Sequence, residues 1–339
     1  MLLDLSTKGR GHLVFQPPET TATSPARLAW RLPGQDAAQA EILDAPQRAI
    51  SLGPTGQPTA DALAECWEHG LSVALLRGAR VAWLATSQGP RPAELTLRRR
   101  QHRQYHDEHW RQMLARSLVT AKIAAQSRVL GQWLRRHPGL GHLLPRIRSL
   151  DADCLTLGGK HDMDQIRGLE GHAARTYIEG LGIILGAPFA RQPRTAPDPI
   201  NLLLDTGYSR LVQALVCRLL ALGADLATGA LHADDDHRPT LALDLMEPLR
   251  PLIVDRFVLR WHLHAPGPWH QQDPCNPERC TFTADGRKRF KDQWSTWLHG
   301  GPRRPGQMHA VVATIQTWQA TLNHVPGHPR WPTTTASPW

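Results

Sequence analysis

Cysteine is scarce in this chain: Cys66, Cys154, Cys217, Cys275 and Cys280 are spread over 339 residues. An odd count at wide spacing makes no disulfide framework, so they read as reduced thiols. Long apolar runs are missing too. Stretches such as Leu71 to Leu76 and Leu181 to Leu185 fall far below the roughly 20 residues that cross a bilayer. Asp4 and Lys8 stand where a secretory leader needs an apolar core, and the expectation is a cytoplasmic protein without a membrane span. Lysine is nearly absent, limited to Lys8, Lys122, Lys160, Lys288 and Lys291.

Positive charge is nevertheless in excess. Lys and Arg number 39 against 30 Asp and Glu, a net charge of +9, and such a field favours polyanions such as nucleic acid. Because nearly all of it is arginine, two readings stand side by side: bidentate phosphate contact, or the coding bias of a GC-rich gene.

With 41% hydrophobic and 20% charged residues, the chain has material for two domains and at least one sizeable core. Its first part reads as short strands between turn residues: His12 to Gln16, Arg27 to Leu32, Arg48 to Leu52, Leu71 to Leu76 and Arg80 to Leu84. Thr59 to His69 has the spacing of one short helix, and Arg77-Gly78-Ala79 reads as a hairpin turn. Two prolines in Ser87-Gln88-Gly89-Pro90-Arg91-Pro92 mark a linker. Beyond it the apolar period lengthens from strand to helix, with Trp110, Met113, Leu114, Leu118, Ala121 and Ala125 on one face. Further helices fit Met163 to Leu181, Asn201 to Leu222, Glu247 to Leu263 and Asp285 to Trp297. No internal repeat is present. The expected class is α+β: a small β-rich N-terminal domain (1–86), a linker (87–93), a larger all-α domain (94–327) and a loose tail (328–339).

Three stretches put metal-competent side chains where bland ones are expected. In Ile166-Arg167-Gly168-Leu169-Glu170-Gly171-His172-Ala173-Ala174-Arg175-Thr176-Tyr177, a helix places Ile166, Leu169, Ala173 and Tyr177 inward with Glu170 among them. A buried carboxylate needs a cation or an Arg beside it. Gly229-Ala230-Leu231-His232 leaves an imidazole at the tip of a loop, which is weak evidence alone in a chain with 18 histidines. In Leu243-Asp244-Leu245-Met246-Glu247-Pro248, the two acids lie three apart and share a helix face. The same Asp-x-x-Glu spacing is also that of a helix cap with its capping-box carboxylate, and both readings stay open.

Taken in order, Gly168-Leu169-Glu170-Gly171-x-Ala173-Ala174, then Pro197-Asp198-Pro199-x-Asn201-x-Leu203-Leu204-x-x-Gly207-Tyr208, then Gly229-x-x-His232, then Leu243-Asp244-Leu245-Met246-Glu247-Pro248-x-Arg250-Pro251-x-x-Val254-Asp255 resemble the universal integrase family of CRISPR adaptation. Ala121-Lys122-Ile123-Ala124-x-Gln126 is similar to that family's helix ahead of the active-site domain, and the likeness runs over roughly residues 45 to 300. The resemblance implies a β-rich domain joined to a helical catalytic domain with one Mg²⁺ or Mn²⁺ site. By position its ligands are Glu170, His232 and Glu247, with Asp244 as a supporting acid. It further implies a homodimer, a small non-catalytic adaptation protein as partner, and insertion of short duplex DNA into a repeat array, with accompanying endonuclease activity.

Two carboxylates and an imidazole suit such ions, and a metal site suits transesterification at a phosphodiester. Candidates for contact with double-stranded DNA are Arg99, Arg103, Lys122, Lys160, Arg175, Arg238, Arg250 and Tyr208. Arg98-Arg99-Arg100-Gln101-His102-Arg103 also reads as a solvated helix face, the reading favoured for any single Arg, and Tyr208 equally as a core residue. Asp234-Asp235-Asp236-His237 is unexpectedly acidic, either a second cation site or a solvated loop. Cys275 and Cys280 near His262, His264 and His270 raise a zinc reading, but no second close pair follows. The rival functions are a catalytically silent DNA-binding scaffold of the same fold and a metal-dependent hydrolase of another substrate.

Overall fold

Alternation of apolar and polar residues in the N-terminal part produces two four-stranded sheets in the computed structural model. The structure describes residues 2–4, 11–16, 27–31, 34, 41–42, 49–52, 56–68, 71–77, 80–84, 92–159, 162–235, 238–265, 267–301, 304–323 and 331–332. The strands are β1 (Leu2–Asp4), β2 (Gly11–Gln16), β3 (Arg27–Arg31), β4 (Glu41–Ile42), β5 (Ala49–Leu52), β6 (Gly56–Pro58), β7 (Ser72–Arg77) and β8 (Arg80–Leu84). One sheet has the order β1-β5-β7-β8 and is parallel except at its β7–β8 edge; the other runs β4-β3-β2-β6. Helix α1 (Ala60–Glu68) follows β6, started by the Thr59 hydroxyl, which accepts from the Ala62 N–H at 3.2 Å. It buries Ala62 and Cys66 against Leu13, Ile50, Leu52, Leu71 and Val73. The expected strands are all present within a residue or two. Strands β1, β4 and β6, at two or three residues each, are too short to show a period.

The chain divides into two compact units, residues 1–99 with 216–225, and residues 100–215 with 226–339. Helix α2 (Pro92–His106) opens with Pro92 at its first position, where the missing N–H is no loss, so the end of the expected linker is already helical. The rest of that linker and Gly78-Ala79 lie outside the described residues.

The second unit is built on α3 (Glu108–Arg136), whose Asp107 cap accepts from the Trp110 N–H at 3.2 Å. It packs on α4 (Leu144–Leu157) and α5 (Met163–Leu185). Then come α6 (Pro199–Ala221), α7 (Thr240–Met246), a π-helical turn (Arg250–Asp255) and α8 (Arg256–His264). An antiparallel hairpin, β9 (His270–Asp273) with β10 (Asn276–Phe282), precedes α9 (Ala284–His299). A minimal ribbon of β11 (Gly300–Gly301) and β12 (Arg304–Pro305) leads to α10 (Met308–Thr321). The class is α+β as expected, while the helical unit carries two ribbons that an all-α reading lacks. Helices α4 and α10 are not among the expected ones. Phe257, Trp261, Trp269, Phe282, Phe290 and Trp294 pack edge-on and stacked where the hairpin meets α8 and α9. Among the described residues, no helix is long and apolar enough to cross a membrane. Within the tail, Trp331 is buried and its indole N–H donates to Ser117 Oγ at 3.2 Å. The remainder of 328–339, apart from Pro332, lies outside the described residues.

The break between α7 and α8 follows from two prolines. Pro248 and Pro251 cannot donate to the carbonyls four residues back, and their rings crowd those carbonyls, so the ladder opens into a wider turn. Trp297 Nε1 donates to the Ile253 carbonyl within it at 3.0 Å. This turn carries Arg250 and Asp255, and it lies close to α6 because Gly207 has no side chain. A Cβ there would stand 2.5 Å from Val254 Cγ1. Val254 is buried and β-branched, so it has little room to turn away. Gly207→Ala is therefore expected to cost about 1–3 kcal/mol, read as a lower urea midpoint at unchanged slope.

Candidate functional site

Asp244 is the organising residue. It lies inside α7, whose cap position is Pro239, so its carboxylate does not cap its own helix. It serves another segment instead. Oδ2 accepts the backbone N–H groups of Ala230 at 2.6 Å and Leu231 at 3.0 Å, while Oδ1 accepts the His232 N–H at 3.1 Å and faces His232 Nδ1 at 2.6 Å. A carboxylate that is 1% exposed thus holds the tip of the loop and orients the imidazole on it. With Nδ1 bound to Asp244, Nε2 is the nitrogen left for chemistry, the arrangement in which a second carboxylate fixes a metal-binding His. The Asp244 hydrogen bond raises the imidazole pKa, with burial working against it. Gly229 permits the approach, since a Cβ there would lie 2.4 Å from Thr240 Cγ2 and 2.6 Å from the His232 carbonyl oxygen.

One helical turn on from Asp244, Glu247 is 1% exposed. Lys122, on α3, places its ammonium 2.7 Å from Glu247 Oε2 and 2.5 Å from Glu170 Oε1. Three elements, α3, α5 and the end of α7, thereby converge on two carboxylates and one cation. Arg250 adds a guanidinium 3.2 Å from Glu247 Oε1. Burial pushes the Glu247 carboxyl up, but Arg250, Lys122 and His232 overcome this and hold it at about 2. Burial likewise opposes the Lys122 charge, yet Glu247 and Glu170 keep its pKa above the ordinary lysine value. Glu170 itself is a quarter exposed, on the open side of the site.

A second layer surrounds Arg250. Its guanidinium lies 5.1 Å from the centre of the Tyr208 ring, and that of Arg191 lies 5.6 Å from the same centre. The Tyr208 hydroxyl donates to Asp255 Oδ1 at 2.7 Å. Burial pushes the Asp255 carboxyl up to about 6, partly countered by Tyr208, Tyr177, Arg250 and Arg191. Arg191 also binds Asn201 Oδ1 at 2.7 Å and Asp205 Oδ1 at 2.5 Å. Tyr208 is thus tied into a network with Asp255, Arg250 and Arg191.

Other expected residues fall elsewhere. Lys122 is 7% exposed, and its ammonium faces Glu170 and Glu247. Arg99, Arg103, Arg175 and Arg238 are exposed. Lys160 lies outside the described residues, as do Asp236 and His237. Asp234 accepts from the Gly229 N–H at 2.9 Å, a structural use of that acidic loop. Cys275 is exposed in the hairpin turn, whereas Cys280 is buried with its N–H on the Ala196 carbonyl at 2.8 Å. What the sequence reading missed is the bridging role of Lys122, although its signal was there: a charged residue on the apolar side of α3 between Leu118 and Val129.

The donor set fits a hard divalent ion, with carboxylate oxygens from Glu170 and Glu247 and an imidazole nitrogen from His232 within electrostatic reach of Glu247. A positive charge is already accommodated between the carboxylates in the form of the Lys122 ammonium. In that arrangement no three His, Cys, Asp or Glu side chains among the described residues converge ready-made on one ion.

A CRISPR-associated endonuclease Cas1 of Rhodospirillum rubrum is 32% identical over 217 residues, covering 57% of this chain and 59% of its own length. The chain spans about three fifths of the length of this relative and of a Cas1 endonuclease of Chlorobaculum tepidum, and less than half of some others. Among solved structures, a partial Cas6-RT-Cas1–Cas2 complex matches with a TM-score of 0.70 at 19% identity over 95% of each chain. A casposase bound to integration product matches with a TM-score of 0.63 at 18% identity over 95% of this chain and 94% of its own. These two likenesses are of fold. The family model of the CRISPR associated protein Cas1 matches residues 47–296, which takes in every member of the site, and the chain belongs to that family.

Proposed function

We propose that this chain is a CRISPR adaptation integrase, joining short duplex DNA to a repeat array by metal-dependent strand transfer. The observation that carries the reading is the pairing of Glu170 and Glu247 around one cationic centre, beside an imidazole whose Nδ1 is engaged by Asp244. In the reaction a 3′ hydroxyl oxygen bonds to a phosphorus of the repeat, and the bond from that phosphorus to its own 3′ oxygen breaks. The attacking hydroxyl loses its proton and the departing oxygen gains one. With water as the nucleophile, the same displacement is endonuclease cleavage.

Glu170, His232 and Glu247 would hold Mg²⁺ or Mn²⁺, which supplies polarisation of a phosphoryl oxygen and a lowered pKa at the attacking hydroxyl. The chain's own residues supply the positioning. Asp244 keeps the Nδ1 proton of His232 on its own side, so the Nε2 lone pair points away from it. Arg250 pins Glu247 Oε1, and the Tyr208–Asp255 pair holds the face on which Arg250 rests. The reading includes spacer precursor and repeat DNA as substrates, a homodimer, a small non-catalytic adaptation protein as partner, and the cytoplasm as compartment. Family membership and the net charge of +9 support these assignments.

The test uses purified protein, supercoiled repeat-bearing plasmid and short duplexes with free 3′ ends, in Mg²⁺ or Mn²⁺. Strand transfer that disappears in Glu170→Ala and His232→Ala is the expected result. Binding without cleavage or joining in either metal would favour a silent scaffold, and indifference to DNA would favour a hydrolase of another substrate.

A further inference from the structure

We infer that Lys122 is a built-in substitute for the divalent ion: its ammonium holds Glu170 and Glu247 together in the metal-free protein, and an incoming cation competes with it for the same oxygens. The inference rests on the metal reading above and concerns this chain's residues alone.

Glu247 and Lys122 are both nearly inaccessible to water, at 1% and 7% exposure. An uncompensated carboxylate at that depth would cost several kcal/mol or take up a proton. The second oxygen of Glu247 makes no aligned hydrogen bond, so its compensation is the ammonium 2.7 Å away. The same ammonium lies 2.5 Å from Glu170. The surrounding positive groups have other anchors: Arg250 binds the opposite oxygen of Glu247 and rests on Tyr208, while His232 faces Asp244.

A divalent ion binds carboxylate oxygens at roughly 2.0–2.2 Å, inside the distances at which the ammonium now sits. One oxygen of each glutamate cannot serve both at full strength, and two cations a few ångströms apart in a buried site repel strongly. Metal entry therefore requires the Lys122 side chain to leave the gap between the acids. Its flexible four-carbon stem allows this, which a guanidinium fork would not do as readily. Two effects follow. The metal-free protein keeps the glutamates paired rather than splayed, and its affinity for the ion is reduced by the ammonium that must be displaced.

The experiment measures Mn²⁺ binding by electron paramagnetic resonance of the free ion, together with melting temperatures in chelator and in Mn²⁺. It compares the wild-type chain with Lys122→Met, Lys122→Gln, Lys122→Arg and His232→Ala. Lys122→Met and Lys122→Gln are expected to melt lower than wild type in chelator, to gain more from Mn²⁺, and to bind it at least about tenfold more tightly, equivalent to roughly 1.4 kcal/mol. Lys122→Arg keeps the charge and is expected to bind Mn²⁺ no more tightly than wild type, and it remains informative if the neutral variants fold only with metal. Equal or weaker Mn²⁺ binding in both neutral variants overturns the inference, as does tighter binding in Lys122→Arg. Should the wild type itself show no saturable Mn²⁺ binding beyond that of His232→Ala, the metal reading fails first, a separate result from a wild type that binds while its neutral variants bind less.

Discussion

Asp244→Ala is expected to lower the unfolding free energy by about 3–5 kcal/mol and to eliminate strand transfer. The carboxylate satisfies three backbone N–H groups, those of Ala230, Leu231 and His232, in a place 1% open to solvent. A buried donor left without an acceptor costs about 1–3 kcal/mol, and the three do not add fully because the loop relaxes once its anchor is gone. Asp244→Asn separates the two roles of the residue. Its amide oxygen can still accept from Ala230 and Leu231, but its NH₂ would face His232 Nδ1 and turn that nitrogen into an acceptor. The ring proton then moves to Nε2, which removes the lone pair a metal needs. The Asn variant should therefore retain much of the stability and lose Mn²⁺ binding. Urea midpoints paired with Mn²⁺ titration check both halves. A wild-type midpoint in Asp244→Ala would sink the structural role, and wild-type metal affinity in Asp244→Asn would sink the tautomer argument.

The sequence made the acids of this site legible for a physical reason. Glu170 lies in an apolar helical stripe with Ile166, Ala173 and Tyr177, which are buried as that period requires. A charge in such a stripe announces a partner, and the partner proved to be Lys122, itself a charge on the buried side of α3. The two helices could not be matched from spacing alone, because 48 residues separate the pair and nothing local fixes which face of α3 meets α5. Asp244 was ambiguous for a similar reason. An Asp three before a Glu is read locally as a cap, whereas its actual donors lie 12 to 14 residues upstream. The β9–β10 hairpin was hidden by composition: Gln271, Gln272, Asn276 and Glu278 are exposed and polar, Pro277 is exposed, and only Cys280 of β10 is fully turned inward before Phe282. Strands of that kind are held by packing of Trp269 and Phe282 against α8 and α9 rather than by any alternation a reader could count.

The same buried charges set a pH signature that Glu247→Gln should remove. In the folded chain Glu247 is held at about 2, against an ordinary 4.5, chiefly because Arg250 and Lys122 outweigh the effect of burial. A carboxyl whose folded pKa is depressed adds stability above its unfolded pKa, and that stability is lost as pH falls toward the folded value. The window here runs from about 4.5 down to about 2, and a shift of that size corresponds to roughly 3 kcal/mol. At pH 7 the glutamine variant should be about 3–5 kcal/mol less stable than wild type, since breaking a buried pair strands the cations that remain. Between pH 4.5 and pH 2 the difference should shrink, as the wild type takes up the proton that the variant never needs. Urea unfolding of both proteins at pH 7, 5 and 3 reads the gap directly. A variant within 1 kcal/mol of wild type at pH 7 would mean that Arg250 and Lys122 do not depend on Glu247, and a gap that stays constant down to pH 3 would mean that some other group carries the acid dependence.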